Sequence, residues 1–204
     1  METVRAARAR YQSRGCALQS GADNKSLDAS GVSRLVIDNL SVNVVVPRRV
    51  NSTVRHLSLM TQITYRDWIL DCDVEATRAG YETISAGGAE SCDCAGCRNF
   101  LAQRDSVYPA EVLNLFDELG VNYKRDAETY HTARLEPRLH LYGGWFHFVG
   151  AIVEEPIGPA TLNNFTIDFI SDSALAAMAF ENQRLVQIEI AVKLPWVLSE
   201  PELN

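Results

Sequence analysis

Apolar and polar positions first alternate regularly at Gln62, from which Ile63, Tyr65, Ile69, Leu70, Cys72 and Val74 read as one strand with an irregularity near Trp68. Asp73 then offers an N-cap for a helix over 74–84, with Glu75 in its first turn. Residues 85–91 contain Gly87 and Gly88 and read as a loop, and 98–104 can form a short helix. A better helix follows, with Pro109 at its start, Val112, Leu113, Phe116 and Leu119 on one face and Gly120 as its stop.

Between 139 and 153 two alternating runs flank Gly143-Gly144, a two-residue hairpin signal. A turn there would put Leu139, Leu141, Phe146 and Phe148 on a core face. It would put Arg138, His140, Tyr142, Trp145, His147 and Val149 on the other, with His140 opposite His147. Further strands are expected at 165–170 and 185–194, and a short helix at 174–180. Early helices, late strands and no regular βαβ alternation predict an α+β fold, an antiparallel sheet with two or three short helices packed on one face.

Charge divides the chain. Met1 to Leu59 carry nine Lys/Arg against four Asp/Glu, a balance of +5; Met60 to Asn204 carry ten against twenty-two, a balance of −12. The first part is Arg-rich, then Gly/Ser/Asn/Asp-rich, and contains only one strand-like piece at 35–46. It reads as a poorly ordered or dispensable N-terminal extension (1–59), leaving 60–204 as a single α+β domain. A transit-peptide reading fails because 21–33 breaks any amphipathic continuity.

The acidic balance of 60–204 argues against nucleic acid, whose binding needs Lys/Arg to neutralise phosphates, and against an anionic membrane surface. No window supplies the roughly 18 apolar residues of a spanning helix. The N-terminus lacks the apolar core of a secretory signal, so the expected setting is a reducing cytoplasm, where the five cysteines serve metal or thiol chemistry rather than a disulfide framework. A homodimer is compatible with an open sheet edge.

Four segments also carry a resemblance: Cys92-Asp93-Cys94-Ala95-Gly96-Cys97-Arg98-Asn99-Phe100; Leu119-Gly120-Val121 with Lys124 and Glu128; Tyr142-Gly143-Gly144-Trp145-Phe146-His147-Phe148-Val149-Gly150; and Leu194-Pro195-Trp196. Together they are similar to a family of small bacterial proteins with no established activity. The resemblance covers about 60–196 and implies a stand-alone bacterial domain; it transfers no functional residue.

Cys92, Cys94 and Cys97 form a C-x-C-x-x-C cluster in which Gly96 eases a tight turn before a helix. Cys94 and Cys97 can chelate as in a zinc knuckle while Cys92 supplies a third thiolate, so zinc is the cofactor this spacing suggests. A histidine would complete Cys₃His, and His131, His140 and His147 are the choices, with His140 and His147 favoured by the proposed hairpin. Two other readings stay open, inert packed thiols and a reactive thiol at Cys97 favoured by a helix N-terminus and Arg98. Cys72 reads as a buried small hydrophobe.

Arg138, Tyr142 and Trp145 are the candidate ligand face beside the histidines. Asp71 and Asp73 read as the solvent side of a strand, and Lys124 with Glu128 as a surface pair. There is no phosphate-binding glycine loop, nucleophile elbow or H-E-x-x-H helix. Two functions follow: a metal-stabilised binding or interaction protein with an unknown protein or small-molecule partner, or an enzyme using the cysteine cluster, either through a reactive thiol or with a histidine and a metal that keeps an open position.

Overall fold

The structure, a computed structural model, describes residues 59–171, 178–180 and 182–203. The N-terminal extension, the strand-like piece at 35–46 and most of the expected helix at 174–180 lie outside the described residues; 178–180 form one 3₁₀ turn.

The fold is α+β, as the pattern predicts. Seven strands make one antiparallel sheet: β1 (Thr61–Tyr65), β2 (Trp68–Cys72), β3 (Glu128–Glu136), β4 (Leu139–Glu154), β5 (Ala160–Leu162), β6 (Phe165–Ser171) and β7 (Leu185–Pro195). Their order is β1-β2-β4-β7-β6-β5, with β3 also paired to β4. Among the described residues four helices precede β3: α1 (Val74–Glu82), α2 (Ala95–Leu101), α3 (Arg104–Val107) and α4 (Ala110–Leu119).

The 16-residue strand β4 organises the sheet. One edge pairs with β7 from Leu139 to Val149. The other edge forks: β3 takes Leu139 to Trp145, and β2 takes Gly150 to Glu154. Helix α1 fills the gap between them. Thr77 Oγ1 accepts from Val149 N–H (3.0 Å), and Tyr81 OH accepts from His147 N–H (3.1 Å) while donating to its carbonyl (2.9 Å). Thr77 and Tyr81 are four helical residues, about 6 Å, apart, close to the ~6.6 Å between alternate residues of a strand, so the two periodicities match over one turn. The exposed edge of β4 is thereby satisfied by side chains where no strand can reach.

Tyr142, Phe146 and Phe148 of β4 lie in register with Val192, Ile188 and Val186 of β7, and Phe165, Ile167 and Phe169 of β6 continue the same face. Helices α2 and α4 cover it, Phe100 on Tyr142 (ring centroids 6.0 Å) and Phe116 on Phe146 (4.9 Å). α4 ends as its sequence dictates, at Gly120 with φ +75°.

Two expectations need correction. The stretch 62–74 is a hairpin rather than one strand: Arg66 takes φ +53° in the turn, a conformation its sequence does not advertise, and is held there by Glu111 (2.8 Å). Gly143-Gly144 is not a turn. Both glycines lie mid-strand in β4, Gly143 opposite Tyr130 and Ala191 and Gly144 opposite Thr129 and Ile190. Gly143 is needed because Tyr130 lies across it; a Cβ there would stand 2.6 Å from the phenol oxygen. The real hairpin joins β3 to β4 at Pro137-Arg138, with Arg138 at φ +62°.

Candidate metal centre

The cysteine loop is positioned from below by one buried carboxylate. Asp126, 2 % exposed, accepts from Ala89 N–H through Oδ2 (2.9 Å), while its own carbonyl accepts from Gly88 N–H (2.7 Å). Burial raises the Asp126 pKa above the ordinary carboxylate range. Glu90 adds a second anchor, accepting from Gly87 N–H (3.1 Å) and pairing with Arg104 (2.9 Å).

The chain then enters α2, and Cys94 is its N-cap: its Sγ accepts from Cys97 N–H (3.4 Å). Cys97, in the first turn and 3 % exposed, points to the sheet and donates its S–H to the Thr129 carbonyl of β3 (3.7 Å). Cys94 is exposed and Cys92 half-buried. None of the three is in a disulfide, and their sulfur atoms all lie within 4.8 Å of one another. A tetrahedral zinc with Zn–S bonds near 2.3 Å needs sulfurs about 3.8 Å apart, so the three thiols must close by about 1 Å at most to occupy three vertices. Burial first, then the proximity of Cys94 and Cys92, pushes the Cys97 thiol far above its usual range. A divalent cation reverses that preference, because a coordinating thiol is deprotonated.

Asn99 fastens α2 to the sheet. Wholly buried, it donates to Tyr142 OH (3.0 Å) and the Pro195 carbonyl (3.1 Å) and accepts from Val197 N–H (2.8 Å). Three segments singled out in the sequence, C-x-C-x-x-C-x-N-F, Tyr142 and Leu194-Pro195-Trp196, meet at this amide. The C-terminal tail then crosses the loop. Glu200 binds Arg98 through both oxygens (2.6 and 2.8 Å), and Leu203 lies against Gly96.

Beside the thiols lies a histidine pair that the sequence did not place. His131 of β3 and His140 of β4 approach at Nε2 to Nδ1 (2.8 Å), and His140 Nε2 faces Glu202 Oε2 (3.3 Å). A carboxylate can only accept, so His140 presents Nε2–H to it. Glu202 is itself held by Arg138 N–H (2.8 Å) and Arg134 (3.1 Å), the first of which lowers its pKa most. Burial, with the neighbouring His140 second, lowers His131 to about 4.

His140 and His147 do not face each other. They are seven residues apart on one strand, where period-two alternation sends them to opposite sides, and His147 packs near Phe180 with its backbone clasped by Tyr81. Among the described residues the metal-competent group comprises the three cysteines and no histidine, His131 included. The candidate ligand face also separates. Tyr142 packs on Phe100 in the core, Trp145 packs on Tyr130 across the sheet, and Arg138 sits in the β3–β4 turn with its guanidinium on the Trp196 carbonyl. Tyr142 and Trp145 are 1 % and 8 % exposed, which removes them as a partner surface.

Arg98 does not activate Cys97: its guanidinium is engaged by Glu200 and the Asp93 carbonyl. Cys72, fully buried and hydrogen-bonded to the Leu119 carbonyl, is the small hydrophobe expected. No described helix is long and apolar enough to cross a membrane.

Comparison of the chain with protein-family models, with curated proteins and with solved structures finds no match in any of the three.

Proposed function

We propose that this is a small bacterial binding or interaction protein whose cysteine loop is locked to its sheet by a zinc ion, and that it works in the reducing cytoplasm, where the thiols stay available. One observation carries the reading: Cys92, Cys94 and Cys97 bring three sulfurs within 4.8 Å of one another on a loop already fixed by Asp126, Asn99 and the C-terminal tail. Soft, convergent thiolates select a borderline-soft tetrahedral ion, and a loop held on both sides supports a structural role. The reactive-thiol reading loses its support because Cys97 is buried and Arg98 is engaged elsewhere. An enzyme with an open metal position is the second reading, favoured by the exposure of Cys94.

Thermal unfolding of the full chain with added zinc and with a chelator tests the proposal. A ligand bound only by the folded state adds about 2.7 kcal/mol at a hundredfold excess over its Kd. Zinc should therefore raise the melting temperature of the wild type and leave Cys94→Ser nearly unmoved. Equal melting curves with zinc and chelator would refute the structural role.

A further inference from the structure

We infer that His131 is the fourth ligand of the metal held by Cys92, Cys94 and Cys97, closing a Cys₃His site in which His140 and His147 take no part. The inference rests on the zinc reading above and adds to it the identity of the remaining donor.

Three thiolates leave one vertex of a tetrahedron, and the donor that fills it must rise from the surface on which the loop lies. That surface is β3. Cys97 reaches the Thr129 carbonyl, and His131, two residues further along the same strand, projects from the same face. Gly96, between the two chelating cysteines, approaches so closely that a Cβ built on it would stand 3.0 Å from His131 Cβ; the same point is 3.9 Å from Cys94 Sγ. The Cβ of His131 therefore already lies against the glycine that separates the two chelating cysteines. The side chain is half-buried with its ring on His140 and Tyr142, and a turn about its Cα–Cβ and Cβ–Cγ bonds would bring it to the thiols. At present it is turned to His140, and closing the site exchanges that hydrogen bond for a metal–nitrogen bond from the neutral imidazole.

The other two described histidines and the tail carboxylate on Arg98 are engaged elsewhere. His140 is fully buried beneath Trp196 with both nitrogens engaged. His147 belongs to the part of β4 clasped by α1, and Glu200 is committed to Arg98.

Cobalt(II) titration of the metal-freed full chain separates the two levels of the proposal, since the thiolate-to-cobalt charge-transfer band counts sulfurs and the visible d–d bands report the whole ligand set. The wild type should show both with a tetrahedral envelope. His131→Asn should keep the three-thiolate charge transfer, shift the d–d bands and weaken binding by more than about tenfold, whereas His140→Asn should keep the wild-type bands. His131→Cys should raise the charge-transfer intensity by about one third, a gain that does not depend on His131→Asn folding well. Wild-type d–d bands and affinity in His131→Asn, or no added charge transfer in His131→Cys, would overturn the fourth-ligand assignment while leaving the thiolate site intact. No charge-transfer band in the wild type would remove the zinc reading itself, and His131 with it.

Discussion

His131 Nε2 and His140 Nδ1 lie 2.8 Å apart, and the second ring continues the contact to Glu202 of the C-terminal tail. The strand that carries the cysteine loop is thus linked through two imidazoles to the segment that crosses over it. Because His140 is completely shielded from solvent, its Nε2–H has no replacement partner if Glu202 is lost. Glu202→Ala should lower the unfolding free energy by about 1–3 kcal/mol in urea titrations, the usual cost of stranding a buried donor. A change within a few tenths of a kcal/mol would show that the tail does not hold the pair.

Asn99 is the second point at which distant segments are joined. Its amide satisfies Tyr142 OH, the Pro195 carbonyl and Val197 N–H together, so truncation removes a partner from three groups at once, of which the Pro195 carbonyl keeps Gln103 Nε2. Asn99→Ala should destabilise the fold by roughly 2–4 kcal/mol and also weaken zinc binding, because α2 carries Cys97. Asn99→Asp should be little better, since a carboxylate cannot supply the two N–H donors. Unchanged stability in both variants would show that the amide is not the clip between α2 and the sheet.

Much of the fold was legible in the sequence, for identifiable reasons. Asp73 as N-cap, Gly120 as stop, the Phe116 face of α4 and the alternation of β6 and β7 all follow local rules that tertiary packing reinforces. Gly143-Gly144 misled because glycine serves close approach as well as turns, and Tyr130, thirteen positions earlier, decides between them. β3 escaped because Glu128–Glu136 is mostly polar and reaches its turn through Arg138 at positive φ, without a glycine. Once the turn moved, parity placed His140 and Tyr142 with Phe146 and Phe148, and the His140/His147 pairing dissolved. At the site, the cysteine spacing pointed to the three thiols, but nothing local could show that His131 of β3 lies beside their loop or that Asn99 and Glu202 tie α2 and the tail to the sheet.

His147 gives a prediction in pH. Burial lowers its pKa from 6.5 to about 4. Between those values the unfolded chain holds the proton and the folded chain does not, so this group's contribution to stability is full above pH 6.5 and is lost as pH falls towards 4. Asp126, whose pKa burial raises, acts in the opposite sense. The comparison must therefore be with His147→Gln, whose unfolding should take up about one proton fewer than the wild type near pH 5. Equal proton uptake by the two proteins would show that His147 is not held neutral.

The central claim, a metal bound by Cys92, Cys94 and Cys97, is tested most directly by native mass spectrometry of the full chain equilibrated with a slight molar excess of zinc, paired with thiol titration before and after chelation. The account predicts about one zinc per chain, three thiols that react slowly until the chelator is added, and loss of the bound ion in Cys97→Ser. A chain that stays metal-free and fully folded, with Cys92 and Cys94 reacting at once whether or not zinc is present, would contradict it.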